Sequence, residues 1–282
     1  MNYRHAFHAG NFADVFKHAL LALIIDYLKR KESGFRTIDT HAGPGLYDLS
    51  GDEASRTGEW RDGIGRVAGE EFAPEIAALL APYLTALGPQ ATELYAGSPV
   101  LAQRLLRKQD RLICCELHEE DFRTLERRMG RDNRLILRHD NGYRALKGLV
   151  PPTERRGLVL IDPPFEERNE FQAMEEALAM AWRKWPTGIY ALWYPVKDVR
   201  AVGQFVARLK ERAIPRILRL ELAVEAVRSE GGLCATGLIV VNPPFMLEDQ
   251  ARRLLPVLAK VLARGPGASA SIEVVQGEVP DA

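Results

Sequence analysis

The sequence predicts an α/β fold: a doubly wound, mostly parallel sheet with an antiparallel last strand and a helical insert after the first strand. Three observations carry this expectation. Short β-rich runs ending in small or acidic residues alternate with stretches of helical periodicity. The turns after those runs gather Gly, Asp, Asn and Pro-Pro, residues that stop a strand and open a loop. The last two β-rich runs have no helix between them, which calls for antiparallel pairing.

In chain order, residues 10–32 read as an amphipathic helix, with Phe12, Val15, Phe16, Ala19, Leu20, Leu23, Ile24, Tyr27 and Leu28 at helical spacing. Asn11 suits the N-cap, Asp14 the first turn, Lys29, Arg30 and Lys31 the last turn, and Gly34 the end. Strands follow at Phe35–Thr40, Arg111–Glu116, Leu135–Arg138, Leu158–Asp162 and Ile189–Tyr194, with helices over 119–130, 170–184 and 198–212. Ile217–Val224 and Gly237–Val241 form the antiparallel pair. The stretch from Thr40 to Arg111 is far longer than a crossover needs. Its middle is polar and Gly-rich (Ser50–Arg66), then helical (Pro74–Leu87). Residues 46–97 are therefore read as an inserted helical subdomain in a single domain made of 1–45 and 98–282. The Gly/Ser-rich, acidic tail from Gly265 offers one edge strand, Ser271–Val275, and then frays.

Composition narrows the function classes. The 282 residues are 46% hydrophobic and carry 38 basic and 38 acidic side chains, so a generic polyanion-binding coat is excluded and any nucleic-acid contact is local. The longest apolar run, Ala19–Ile25, is far short of the ~20 residues of a membrane helix. The three cysteines, two of them the adjacent Cys114 and Cys115, make no disulfide framework and no metal pair. The chain reads as cytoplasmic, with no membrane and no obligate protein partner.

Chemistry-bearing residues collect at strand ends. Asp39-Thr40-His41-Ala42-Gly43-Pro44-Gly45 closes the first strand, where a glycine loop lets backbone approach a ligand. It lacks a third glycine, so it does not specify a pyrophosphate cradle, and a tight turn would use the same residues. Glu116 ends the second strand, where doubly wound nucleotide sites place an acid on ribose hydroxyls. His139-Asp140-Asn141-Gly142 ends the third. Asp162-Pro163-Pro164-Phe165 ends the fourth, and Asn242-Pro243-Pro244-Phe245 follows the last run, so one Pro-Pro turn is read as a strand terminator.

In this order the motifs resemble those of Rossmann-like class I methyltransferases that use S-adenosylmethionine. Their [D/N/S]-P-P-[Y/F/W] loop marks enzymes that methylate an exocyclic amine of a base. Such an amine is a poor nucleophile because its lone pair is delocalised into the ring. An acidic side chain and the Pro163 carbonyl would accept its two N–H bonds and aim the nitrogen, and an aromatic would stack the unpaired base. The opening Tyr3-Arg4-His5-Ala6-Phe7-His8-Ala9-Gly10-Asn11-Phe12-Ala13-Asp14-Val15-Phe16-Lys17-His18 is similar to that of the bacterial 23S ribosomal RNA adenine-N6 methyltransferases of the RlmJ type. So are Asp39-Thr40-His41-Ala42-Gly43, Gly97-Ser98-Pro99, Glu116-Leu117-His118, Ile161-Asp162-Pro163-Pro164-Phe165, Leu192-Trp193-Tyr194-Pro195 and Asn242-Pro243-Pro244.

The resemblance implies methyl transfer to N6 of one adenine, number 2030 of the 23S molecule, in RNA that is protein-free or partly assembled. It implies Asp162 as the catalytic acceptor and cofactor contacts from His18, His41, Gly43, Ser98, Glu116, Asn141, Gly142 and Asp162. The family has Asp-Gly where this chain has Asn141-Gly142, with Asp140 one place early, so either of the two is assigned the cofactor's adenine. Tyr3, Pro163 and Phe165 are the implied substrate contacts, and no metal is implied.

Other readings stay beside this one. An N6-adenine or N4-cytosine DNA methyltransferase shares the loop, an amide-N methyltransferase carries it with Asn, and a non-catalytic RNA-binding relative shares the fold. The early histidines His5, His8, His18 and His41 raise a metal-dependent hydrolase, against which no His-Glu-x-x-His pattern appears. Ser98 before Pro99 is also a good N-cap. Trp193 and Tyr194 suit core packing or base stacking. Arg104, Arg107, Lys108 and Arg111 suit phosphate contacts or a solvated helix face.

Overall fold

The computed structural model of the chain describes residues 5–227 and 232–277. In chain order the elements are α1 (Phe12–Lys29), β1 (Arg36–Asp39), β2 (Leu46–Asp48), α2 (Asp52–Thr57), α3 (Ile64–Ala68), α4 (Pro74–Leu87), β3 (Leu94–Ala96) and α5 (Ser98–Leu105). Next come β4 (Arg111–Glu116), α6 (Glu119–Met129), β5 (Leu135–His139), α7 (Gly142–Leu149), β6 (Gly157–Ile161) and α8 (Glu170–Lys184). The chain continues through β7 (Ile189–Pro195), α9 (Val199–Glu211), β8 (Ile217–Ala223), β9 (Ala235–Val241), α10 (Leu247–Val261) and β10 (Ser269–Gln276).

Eight strands form one sheet in the order β10-β8-β9-β7-β6-β1-β4-β5. The five from β7 to β5 are parallel; β9 inserts antiparallel between β7 and β8, and β10 adds an antiparallel edge. Strand order reverses at β1, which pairs with β4 on one side and β6 on the other, and this is the Rossmann-like switch point where open α/β sheets bind ligands. The helices cover both faces. Leu158 and Leu160 of β6 face a core that includes α1, α5 and α10, while Val159 and Ile161 face one built with α7, α8 and α9. This period-two split requires the unbroken apolar strand seen in the sequence.

Some expectations change in detail. The Asn11 cap holds: its side chain accepts from the backbone N–H of Ala13 and Asp14 at 2.9 and 3.1 Å. But α1 is buried nearly all round rather than along one stripe, because α4 and α5 cover the side that the sheet and α10 leave open. It ends at Lys29, short of Gly34, where Arg107 donates to the carbonyls of Lys29 and Lys31, and Arg156 to that of Leu28. Arg107 therefore caps a helix instead of tracking phosphates. Arg104 does the same at the end of α4, donating to Ala86 and Leu87, and Arg111 donates to the carbonyls of Lys108 and Asp110. Residues 46–97 contain a two-stranded antiparallel sheet, β2 with β3, besides the helices α2 to α4; Tyr83 and Leu80 of α4 share one core with α1. Helix α5 follows the Ser98-Pro99 start signal, and helices α7 and α10 are additions to the expected elements.

Candidate active site

A cavity of about 780 Å³ opens at the carboxyl ends of β1, β4, β6 and β7. Its walls come from widely separated segments: the turn before α1, the β1 loop, the ends of β4 and β5, the β6 loop and the end of β7. Topology, not sequence proximity, brings them together.

The β1 and β4 ends interlock. Gly43 has φ +63°, and a side chain there would meet the Tyr47 hydroxyl at 2.5 Å, so the loop needs glycine. Its N–H donates to Glu116 Oε2 at 2.7 Å, and the His118 N–H donates to Oε1 at 2.7 Å. Burial raises the Glu116 pKa against these two bonds. Glu116 is thus fixed in place and keeps lone pairs for further donors. Gly142, at the N-terminus of α7, lies so close to β1 that a Cβ would sit 2.0 Å from the Thr40 carbonyl oxygen.

The two residues offered for the β5 turn separate. Asn141 and Gly142 line the cavity. Asn141 also caps α7, accepting from the Arg144 N–H at 3.0 Å through its side-chain oxygen, which leaves its amide nitrogen uncommitted. Asp140 is outside the lining and is held by Arg144 Nε at 3.1 Å. Ser98 is not the N-cap of α5; Gly97 is. The Ser98 hydroxyl instead donates to Asp39 Oδ2 at 2.7 Å, while Asp39 Oδ1 accepts from the His41 N–H. Asp39 is buried, and desolvation pushes its pKa up to about 7. His41 packs edge-on against Tyr143, and burial lowers its pKa to about 4.

Asp162 follows β6 at the floor of the cavity. Lys17 Nζ donates to its Oδ2 at 2.6 Å and pairs with Asp14 Oδ1 at 2.9 Å. Burial opposes the Lys17 charge, but the two carboxylates overcome it and hold the ammonium well above its usual range. Asp14 Oδ2 in turn meets His5 Nε2 and the Gly10 N–H, each at 2.9 Å; burial raises the Asp14 pKa, and the neighbouring His5 and Lys17 reverse it to well below the usual value. Oδ1 of Asp162 makes no hydrogen bond among the described residues, so one oxygen is anchored and the other is available.

Pro163, Pro164 and Phe165 line the same space. Phe165 has φ 52°, a conformation a bulky residue adopts only when the surroundings impose it. Its ring stands edge-on to Trp193 and Phe171 at centroid distances of 5.9 and 5.0 Å. Trp193 lines the cavity, whereas Tyr194 is buried and donates to Glu221.

His18 also reaches the cavity. The histidine pair raised for a metal is otherwise engaged: His5 with Asp14, and His8 with Glu59 at 3.0 Å. Tyr3 lies outside the described residues. Asn242 sits at the opposite sheet edge, because β9 runs against β7 and pairs Val241 with Tyr190. Reasoning from sequence missed Lys17, Asp14 and Asp39. The available signal was a charged pair, Asp14 and Lys17, one turn apart on a helix otherwise nearly all apolar.

The chain is similar to known proteins over nearly its whole length. A family model described as "Ribosomal RNA large subunit methyltransferase D, RlmJ" matches residues 32–275. The chain is 41% identical over 280 residues to "Ribosomal RNA large subunit methyltransferase J" of Haemophilus influenzae, covering 99% of this chain and 100% of that one. It is 41% identical over 269 residues to the protein of the same name in Escherichia coli, covering 95% and 96%. The crystal structure of protein LPL1258 from Legionella pneumophila superposes with a TM-score of 0.85 at 32% identity, covering 95% of this chain and 98% of that one. The chain belongs to the RlmJ family of ribosomal RNA large subunit methyltransferases.

Proposed function

We propose that the chain transfers a methyl group from S-adenosylmethionine to the exocyclic N6 of an adenine in 23S ribosomal RNA, with adenine 2030 the expected target. The observation that carries this reading is the Asp162 carboxylate: one oxygen locked by buried Lys17, the other free in a cavity shared with Pro163, Phe165 and Glu116.

The residues present fit such a cofactor. The cavity volume lies in the range of small-molecule sites. Glu116 offers a fixed acid at the β4 end for ribose hydroxyls, and Asn141 offers an amide nitrogen beside it. Gly43, His41, Gly142 and Ser98 form the adjoining wall, with Ser98 bonded to Asp39 behind it, and His18 stands on the α1 side. S-adenosylmethionine supplies, when bound, a methyl group already activated by its sulfonium.

The chain's task is then to present a nitrogen. Asp162 Oδ1 accepts one N–H of the amine, and the Pro163 carbonyl, which has no donor among the described residues, accepts the other. Two in-plane acceptors on one amine favour the lone pair on nitrogen and fix its direction. Lys17 keeps Asp162 aimed. Phe165 and Trp193 form an aromatic wall for a base removed from its stack. Exposed Lys197 at the rim, like Arg168 on the loop before α8 and Arg200 at the start of α9, makes no hydrogen bond or ion pair among the described residues, which suits RNA phosphates. RNA that is protein-free or partly assembled gives these groups access to the base.

The test is transfer of labelled methyl from S-adenosylmethionine to 23S RNA transcripts. Wild-type protein should label one adenine at N6. Asp162→Ala should lose at least ~10²-fold in rate while keeping cofactor affinity within severalfold. Cofactor binding should persist in excess chelator. Equal labelling of duplex DNA would overturn the RNA assignment.

A further inference from the structure

His18 has two ring nitrogens in different circumstances. Nδ1 lies 2.8 Å from the Tyr95 hydroxyl, and Tyr95 lies 3.1 Å from the Tyr83 hydroxyl. Nε2 is buried with no hydrogen-bond partner, on a residue that lines the cavity. Tyr83 is on α4 and Tyr95 on β3, both within residues 46–97. All three side chains are at most 1% exposed, so water does not complete their hydrogen bonding.

Counting hydrogens along this row decides its polarity. The Tyr83 hydroxyl has no neighbour except Tyr95 among the described residues. If His18 Nδ1 carried the proton, it would donate to Tyr95, Tyr95 would donate to Tyr83, and the Tyr83 hydrogen would be left buried without an acceptor. In the reverse order Tyr83 donates to Tyr95, Tyr95 donates to Nδ1, and every hydroxyl hydrogen is satisfied. The imidazole is neutral, since burial and then Lys17 lower its pKa to about 3. Its single proton therefore sits on Nε2, and the cavity receives a donor.

We propose that Tyr83 and Tyr95 are positioning residues that hold His18 in its Nε2–H form, so that segment 46–97 presents a fixed hydrogen-bond donor to an anionic acceptor of the bound cofactor. This rests on the methyltransferase reading for the identity of the ligand, and the carboxylate of S-adenosylmethionine is its one anionic group. The proton order itself depends only on the protein. A donor set in advance binds more tightly than a ring that must change tautomer on binding.

Nitrogen-15 NMR of histidine-labelled, cofactor-free protein reads the tautomer directly. Wild type should show His18 with a protonated Nε2 and a bare Nδ1, unchanged from pH 5 to 8. Tyr95→Phe removes the donor to Nδ1, and the single-tautomer signature should be lost. Its affinity for S-adenosylhomocysteine should fall roughly tenfold, the scale of one buried oriented hydrogen bond. Tyr83→Phe keeps the Tyr95 hydroxyl and should retain the tautomer, with a smaller loss of affinity. A protonated Nδ1 in wild type would overturn the proposal, and that measurement stands even if Tyr95→Phe fails to fold. A folded Tyr95→Phe with unaltered spectrum and affinity would overturn it too. Wild-type protein that shows the Nε2–H signature but binds neither S-adenosylmethionine nor S-adenosylhomocysteine would refute the methyltransferase reading while leaving the proton order intact.

Discussion

Lys17 is buried against two carboxylates, so its removal acts twice. Lys17→Met strands buried Asp14 and frees Asp162 to rotate. Stability should fall by ~3–5 kcal/mol, the cost of breaking a buried pair, and methyl transfer should fall by at least ~10²-fold; denaturant melts and single-turnover labelling separate the two. Asp39 makes a pH-dependent contribution. Its folded pKa of about 7 lies above the ordinary 3.8, so between those values the native state holds a proton that the unfolded state has lost. Asp39 therefore lowers stability as pH rises through that window. The prediction is that Asp39→Asn flattens the decline in stability between pH 5 and 8, measured by urea unfolding at each pH. Asp162 was legible in the sequence because two prolines mark its strand end. Lys17 was not, because its partner is 145 residues away and only the sheet order unites them.

At the level of elements, the two Pro-Pro-Phe turns share a sequence and differ in direction. After β6 the turn enters the cavity; after β9 it points to the far edge, where Asn242 Nδ2 donates to the carbonyls of Pro186 and Gly188 at 2.7 and 2.8 Å. Asn242 has φ 52°, a conformation Asn tolerates and Ala resists. Asn242→Ala should keep most activity and lose ~1–2 kcal/mol of stability, and Asn242→Gly should lose less, which thermal melts of the pair would show. Strand β4 was legible to the residue and helices α4, α6, α8 and α9 to within one residue, because periodicity marks them. Helix α5 was signalled at its start by Ser98-Pro99, but its serine serves Asp39 instead of the cap. Helix α10 carries Pro256 in its interior, which blurs its helical signal.

Across the whole molecule, equal numbers of positive and negative charges conceal an uneven distribution. Arg66, Arg104, Arg107, Arg134 and Arg156 donate to backbone carbonyls, so many of the cations act as struts within the fold. Lys197 is left at the cavity rim, and Arg168 and Arg200 are exposed on the adjoining segments. Replacing all three by Ala should reduce the slope of log affinity for single-stranded RNA against log salt by about two, at ~0.7 per phosphate contact, and leave S-adenosylmethionine binding unchanged. Titrations from 50 to 300 mM salt would check it.

The insertion of β9 between β7 and β8 also governs the timetable of synthesis. Strand β8 leaves the ribosome before the strand that joins it to the sheet exists, and its apolar face waits for β9, the whole of which is buried once formed. The carboxyl end of β7, with Trp193, takes its final place only when that gap closes. Nascent chains stalled after β8 should therefore be cut readily by protease, and chains extended past β10 should resist. A cavity lined mostly by the first two thirds of the chain is thus completed, at Trp193 and Lys197, only as the last third arrives.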